Sequence, residues 1–203
     1  MDDKKMLQAM RKLKWEADYW KRAKGEDTGN VFLTEVDHLD HDFIRALHDR
    51  GIKNGKLLDI GTGLGRQAIE LAGLGFEVTA TDISRIGITE AARNAASAGA
   101  QIRFLEDDIT HTSLTETFDV VLDRGCFAVL QEELLDDYTT GVAGLVRPNG
   151  IFLLKVDQKK ASRIDHLSGR FTVTETCNSF YLLKDKPIKA AFFVLQTTKQ
   201  ERL

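Results

Sequence analysis

The run Leu57 to Gly65, LLDIGTGLG, constrains this chain more than any other stretch, together with Asp82 at the end of FEVTATD. An apolar strand ending in an acid leads into a glycine turn that opens a helix. A second strand then delivers a carboxylate beside that turn. This is the outline of a nucleoside-binding crevice at the carboxyl ends of a parallel sheet. The spacing narrows the ligand. Glycines stand at 61, 63 and 65, and Arg66 occupies the place where a dinucleotide fingerprint wants its third glycine. A G-x-G-x-G turn after Asp59 therefore favours a ligand with no pyrophosphate to rest on the helix start.

Strands and helices alternate around this run. LLDI (57–60), FEVTATD (76–82), QIRFLED (101–107), FDVVLD (118–123) and IFLLKV (151–156) read as strands. Helices are expected at Arg66 to Leu74, Arg85 to Ala98 and Glu132 to Val146, the last stopped by Arg147-Pro148-Asn149-Gly150. Such alternation implies right-handed crossovers and a doubly wound, Rossmann-like α/β sheet that is mostly parallel. After residue 157 the chain turns β-rich, with FTVTETC (171–177) and AAFFVLQTT (190–198), which predicts a C-terminal antiparallel hairpin. Before residue 50, Met6, Met10, Leu13, Ala17 and Trp20 recur at helical spacing, so residues 3–24 form an amphipathic helix, and a second helix covers Asp37 to Asp49. No linker interrupts the chain. It reads as one domain over 1–203: a helical lid (1–50), a cofactor-binding core (51–156), then a substrate loop and terminal hairpin (157–203).

The 203 residues suffice for one α/β core. A formal net charge of −3 argues against broad affinity for nucleic acid or membranes, and no apolar run reaches the ~20 residues a bilayer span needs. Cys126 and Cys177 stand in unrelated contexts, so neither a disulfide scaffold nor a zinc site is expected. The expected setting is cytoplasmic, as a monomer or homodimer.

A ligand made of adenosine and an amino-acid tail matches what these strand ends offer. Bare backbone at Gly61, Gly63 and Gly65, with Thr62 between, lets a ribose and tail approach closely. Asp82, followed by Ile83, can accept both hydroxyls of a ribose diol, and Asp59 can hold an ammonium. Asp107-Asp108-Ile109 places carboxylates beside an aliphatic side chain, a setting for adenine and its exocyclic amine.

On these residues the chain resembles the class I S-adenosylmethionine-dependent methyltransferases, over about residues 55 to 156. LLDIGTGLGR is similar to the family's first motif, TATDIS carries its ribose acid at Asp82, and EDDI matches the adenine-contacting segment at Asp108 and Ile109. FDVVLDRGCFAVL is similar to its fourth motif, and LVRPNGIFLL to the turn before the fifth strand. The resemblance implies a seven-stranded sheet with one antiparallel strand and S-adenosylmethionine as cofactor. Asp123-Arg124-Gly125 and WEADYW (Trp15 to Trp20) resemble the thiopurine-methyltransferase and tellurite-resistance-like branch, whose N-terminal aromatic helix covers the cofactor. That resemblance implies a small-molecule acceptor, with thiols, chalcogens and other soft nucleophiles favoured, and brings Trp20 and Asp123 to the cofactor. Where amide methyltransferases carry Asn/Asp-Pro-Pro-aromatic, this chain reads DRGC.

The sulfonium already activates the methyl group, so catalysis by positioning is expected, with Asp123 and Arg124 at the junction of cofactor and acceptor. Arg124 is expected either to orient an anionic acceptor or to pair with a nearby acid and fix the loop. Cys126 reads as a small buried side chain rather than a nucleophile, and His38 and His41 are the candidate bases near the substrate mouth. Lys159, Lys160, Arg163 and Arg170 make the loop after the fifth strand basic. O- or N-methyl transfer, a cofactor-binding protein without catalysis, and a nicotinamide-dependent oxidoreductase are the competing readings. The last is opposed by Arg66 and by the lack of a Tyr-x-x-x-Lys pair.

Overall fold

The computed structural model describes residues 3–26, 39–183 and 186–198. Seven strands form one sheet in the order β3-β2-β1-β4-β5-β7-β6. They are β1 (Gly55–Ile60), β2 (Phe76–Asp82), β3 (Arg103–Glu106), β4 (Phe118–Arg124), β5 (Val146–Asp157), β6 (Phe171–Leu183) and β7 (Lys186–Thr197). β1 to β5 run parallel, and β7 pairs antiparallel with both β5 and β6. The mostly parallel sheet with a terminal antiparallel hairpin is thus as the sequence predicts. Helices α1 (Asp3–Ala23), α2 (His41–Asp49), α3 (Arg66–Gly73), α4 (Arg85–Ser97), α5 (Cys126–Val129) and α6 (Leu135–Leu145) surround it. None of the described helices is long and apolar enough to cross a membrane.

Both faces of the sheet are covered, which explains the continuous apolar strands. Leu58, Val121, Phe152 and Leu154 pack with Phe127 of α5 and Tyr138 of α6. Their neighbours Leu57, Val120, Leu122 and Leu153 pack on the other face with Phe43 of α2 and Leu71 of α3. This period of two follows from the pleat. It also aligns the strand ends, because Ile60 pairs with Thr81 and with Asp123, Asp82 with Glu106, and Arg124 with Lys155.

Three expectations change. The turn at Arg147 to Gly150 is a bulge within β5, where the partner register jumps between Phe118 and Val120 and Asn149 takes φ 66°. Trp20 and its stripe-mates Met6, Met10 and Leu13 face outward, with Trp20 49% exposed. The inward face of α1 instead carries Arg11 and Tyr19, because the strand ends beneath it are acidic. The basic loop after β5 is a run of 3-10 turns (Gln158–Leu167) in which Arg163 is spent on the carbonyls of Phe127, Ala128 and Leu130.

Candidate active site

A cleft opens at the carboxyl ends of β1, β2, β3 and β4, roofed by α1. Gly61, Thr62 and Gly63 form its floor, Asp82 and Ile83 one wall, Asp107, Asp108 and Ile109 a second, and Arg124, Gly125, Cys126, Val129 and Leu130 its far end. Of the sequence-predicted site residues, Gly61, Thr62, Gly63, Asp82, Ile83, Asp108, Ile109 and Arg124 line this space.

The glycine turn brings bare backbone to the cleft at two positions. Gly61 (φ 68°) faces Cys126, and a Cβ on it would lie 3.1 Å from the Cys126 Cβ; a Cβ on Gly63 (φ 59°) would lie 3.1 Å from the Tyr19 hydroxyl. Both close approaches depend on the missing side chain. Gly65 differs. It caps α3 and abuts Ala91 and Phe104, so its role is helix packing rather than cleft lining. Asp59 is buried behind the turn, where it accepts from the Thr62 hydroxyl at 2.7 Å. Burial pushes its carboxyl up to about 7, a rise opposed by the Thr62 hydrogen bond and reinforced by the charges of Asp123 and Asp82.

Asp82 has the site's most informative surroundings. Its Oδ1 accepts from the Ser84 amide at 2.9 Å, while Oδ2 accepts from the Gly63 amide at 3.0 Å and the Tyr19 hydroxyl at 3.3 Å. Burial raises its carboxyl to about 6 against these donors. Tyr19 therefore sits where a ribose hydroxyl would be expected. Arg11 likewise pairs with Asp108, and Lys12 with Glu106. Glu16 fastens the same helix by accepting from the Ser84 hydroxyl and from the Arg85 and Ile86 amides at the start of α4, an N-cap supplied by another helix. Tyr19 and Arg11 line the cleft, and Tyr19 belongs to the aromatic segment WEADYW. Trp20, the residue expected there, is on the opposite face.

Asp108 is further occupied by its own turn, accepting from Thr110 N at 3.0 Å and Thr110 Oγ1 at 2.8 Å. Asp107 spends Oδ1 on Ser113, and its Oδ2 is buried with no partner among the described residues. Arg11 and Gln67 each hold another buried polar atom without a partner, and both also line the cleft. An unpaired buried polar atom costs about 1–3 kcal/mol. Three such atoms belong to residues around this one cavity.

At the far end, Asp123 stands behind the cleft rather than in it. Its Oδ1 accepts from the Gly125 and Cys126 amides at 2.8 Å each. Its Oδ2 accepts from the Phe127 amide at 2.9 Å and the Tyr138 hydroxyl at 2.5 Å. Burial moves its carboxyl up to about 6. Asp123 thus shapes the loop that carries Arg124 into the cleft. Arg124 is bonded through Nε to Asp40 at 3.3 Å. Burial pushes the Cys126 thiol up, so it is not an ionised nucleophile at neutral pH. His41 is exposed at the start of α2 and lines no part of the cleft, and His38 lies outside the described residues.

Residues 57–150 match the family model described as "Methyltransferase domain". The chain is similar to EEF1A lysine methyltransferase 2 of Danio rerio, at 30% identity over 63% of this chain and 58% of that protein. It is also similar to a ubiquinone biosynthesis O-methyltransferase of Rickettsia felis, at 30% over 53% of this chain and 43% of the relative. It thus spans about half the length of these curated relatives. In fold it is similar to Burkholderia thailandensis 1,6-didemethyltoxoflavin-N1-methyltransferase, solved with 1,6-didemethyltoxoflavin and S-adenosylhomocysteine. That likeness has a TM-score of 0.65 at 20% identity and covers 78% of each chain. The match to that domain model and the likeness in fold thus meet on the same strands, within a seven-stranded Rossmann-like sheet.

Proposed function

We propose that the protein is an S-adenosylmethionine-dependent methyltransferase acting on a small molecule, with a thiol or other soft nucleophile favoured. The observation that carries this reading is the pairing of Asp82 with the bare backbone at Gly61 and Gly63, beside buried polar atoms that lack partners. The residues fit the cofactor. Asp82 would accept the ribose diol once Tyr19 withdraws, and Oδ2 of Asp107 suits an exocyclic amine better than the occupied Asp108 does. Ile83 and Ile109 supply apolar walls, and Thr62 with Gly61 and Gly63 leaves room for an amino-acid tail. Asp59 and Gly65 hold that turn in shape from behind.

Bound S-adenosylmethionine supplies a methyl group activated on a sulfonium. The chain's task is to align the acceptor and exclude water. Val129, Leu130 and the roof helix keep the far end dry, and Arg124 orients an acceptor bearing negative charge. Asp123 acts through the loop it holds and so is a positioning residue. Arg124, Val129 and Leu130 would hold the acceptor's nucleophile in line with the activated methyl group that the bound cofactor would supply. Any acceptor proton leaves to solvent. An ionised thiol needs no base, which accords with a far end that presents an arginine, a protonated thiol and aliphatic side chains. Assignment to the thiopurine and tellurite-resistance-like branch, and action in a reducing cytoplasm, belong to the same proposal. A second reading, O- or N-methyl transfer with a protein acceptor included, is favoured by the relatives, among them a lysine methyltransferase and an O-methyltransferase.

Calorimetry with S-adenosylmethionine, S-adenosylhomocysteine and nicotinamide dinucleotides tests the proposal. The adenosyl ligands are expected to bind and the dinucleotides not. Asp82→Ala is expected to lose about a hundredfold in affinity, the worth of two hydrogen bonds to a charged acceptor. Equal binding by the variant would overturn the assignment.

A further inference from the structure

Lys155 has no part in the reading above, yet it is a cation with only 1% exposure at the end of β5, directly beside the acceptor end of the cleft. Its Nζ donates to both oxygens of Asp40 at 2.7 Å, to Asp42 at 2.9 Å and to the Phe180 carbonyl at 2.9 Å. Asp40 is thereby fixed between two cations, because its Oδ2 also accepts from Arg124 Nε. The Arg124 guanidinium carbon lies 5.0 Å from the centre of the Tyr181 ring, and the Tyr181 hydroxyl donates to the Lys155 carbonyl at 2.8 Å. An arginine held by Nε and braced on a ring has its two terminal amino groups left to act. Among the described residues no side chain accepts a hydrogen bond from them, and Arg124 lines the cleft. Two parallel N–H groups in one plane match the two oxygens of a carboxylate. A phosphate dianion would want a second cation. Lys155 and Arg11 are committed to carboxylates of the protein, Arg22 and Arg66 of the same cleft have interactions of their own, and Cys126, Val129 and Leu130 beside Arg124 bring no charge.

We infer that Arg124 forms a carboxylate-binding subsite at the acceptor end of the cleft, aimed by Asp40 and Lys155 as positioning residues, so that the acceptor is a small molecule carrying a carboxylate near its nucleophile. This rests on the methyltransferase reading for the word acceptor. The subsite itself rests on side-chain geometry alone.

The test is calorimetric binding of 2-mercaptobenzoate and of thiophenol, which differ only by the carboxylate, to the full chain with and without S-adenosylhomocysteine. The wild type is expected to prefer the carboxylate by about tenfold or more. Arg124→Ala is expected to abolish the preference, Arg124→Lys to keep part of it, and Asp40→Asn to weaken it. S-adenosylhomocysteine affinity is expected to stay unchanged in all three, a selectivity that general damage to the fold would not produce. Equal binding of the two thiols, no binding of the carboxylate in either state, or a preference that survives Arg124→Ala overturns the subsite. Failure of S-adenosylhomocysteine to bind overturns the methyltransferase reading instead, and the titration without it still decides the subsite.

Discussion

Around Asp82 and Asp108 the cleft wall is completed by side chains reaching down from α1, whereas around Arg124 it is completed by a buried network joining β4, β5, α2 and the terminal hairpin. The first set, Tyr19 on Asp82 and Arg11 on Asp108, uses the polar groups that a nucleoside would need. The second set, Lys155 with Asp40 and Asp42, Ser179 on Asp42 and Tyr181 on the Lys155 carbonyl, lies behind Arg124, which lines the cleft. In the proposed function the cofactor half is latched by contacts that a ligand can replace, and the acceptor half is locked by a network of ion pairs and hydrogen bonds around buried Lys155. Perturbing the first should alter binding, and perturbing the second should alter stability.

The largest expected effect tests the locked half. Lys155→Ala leaves Asp40 to Arg124 alone and Asp42 to Arg45 and Ser179, without the buried cation that joined the two carboxylates, and removing one partner of a buried pair costs up to about 3–5 kcal/mol. The midpoint of denaturant unfolding measures this. A loss below about 1 kcal/mol, the ordinary range of a surface pair, would mean that the network is no tighter than the latch.

A middle-sized effect follows from pH. Burial holds the Asp82 carboxyl at about 6, above its unfolded value near 3.9, so the folded protein binds that proton more tightly between roughly pH 4 and 6. The contribution of Asp82 to stability is therefore greatest at low pH and is lost as pH rises through 6. Asp123 at about 6 and Asp59 at about 7 act in the same direction. Acceptance of a ribose diol needs the ionised carboxylate, so cofactor affinity moves the other way. Between pH 7 and 5 the affinity for S-adenosylhomocysteine is expected to fall about tenfold, in step with the ionised fraction of Asp82. Calorimetry at both pH values checks the fall. Flat affinity would show that Asp82 is not the diol acceptor.

The same division explains what could be read from the sequence. The sheet, its parallel order and the terminal hairpin were legible, because apolar strands covered on both faces leave few alternatives and the chain alternates strictly. The strand-end acids were legible as well. Asp59, Asp82 and Asp123 all come to the carboxyl edge, since parallel pairing sets Asp59 opposite Ala80 and Ile60 opposite Asp123. Their division of labour was not, because it depends on hydrogen bonds made across the sheet. Asp123 is consumed by three amides and a tyrosine, and Asp107 rather than Asp108 keeps a free oxygen. Helical periodicity identified α1 but not which face turns inward. The acids beneath it choose the cationic side, so Tyr19 enters and Trp20 does not. Lys155 gave no local signal at all, standing in IFLLKV as a single cation whose partners are Asp40 and Asp42.

The smallest expected effect decides whether the latch is a competitor or a helper. Tyr19 is buried and its phenol is held well above its usual range, by burial first and then by the charge of Asp82, so at neutral pH it is a donor to that carboxylate. Tyr19→Phe keeps the ring against Gly87 and removes only the hydroxyl that stands 3.1 Å from a Cβ position on Gly63. A hydrogen bond of this kind contributes about 0.5–1.5 kcal/mol net, which corresponds to roughly threefold to tenfold in an equilibrium. If the hydroxyl occupies the ribose position, removing it strengthens S-adenosylhomocysteine binding by that factor, and the association rate rises with it because a contact no longer has to break first. If affinity falls instead, the hydroxyl is a cofactor contact. The cofactor half would then be as preformed as the acceptor half, and the distinction between latch and lock would be lost.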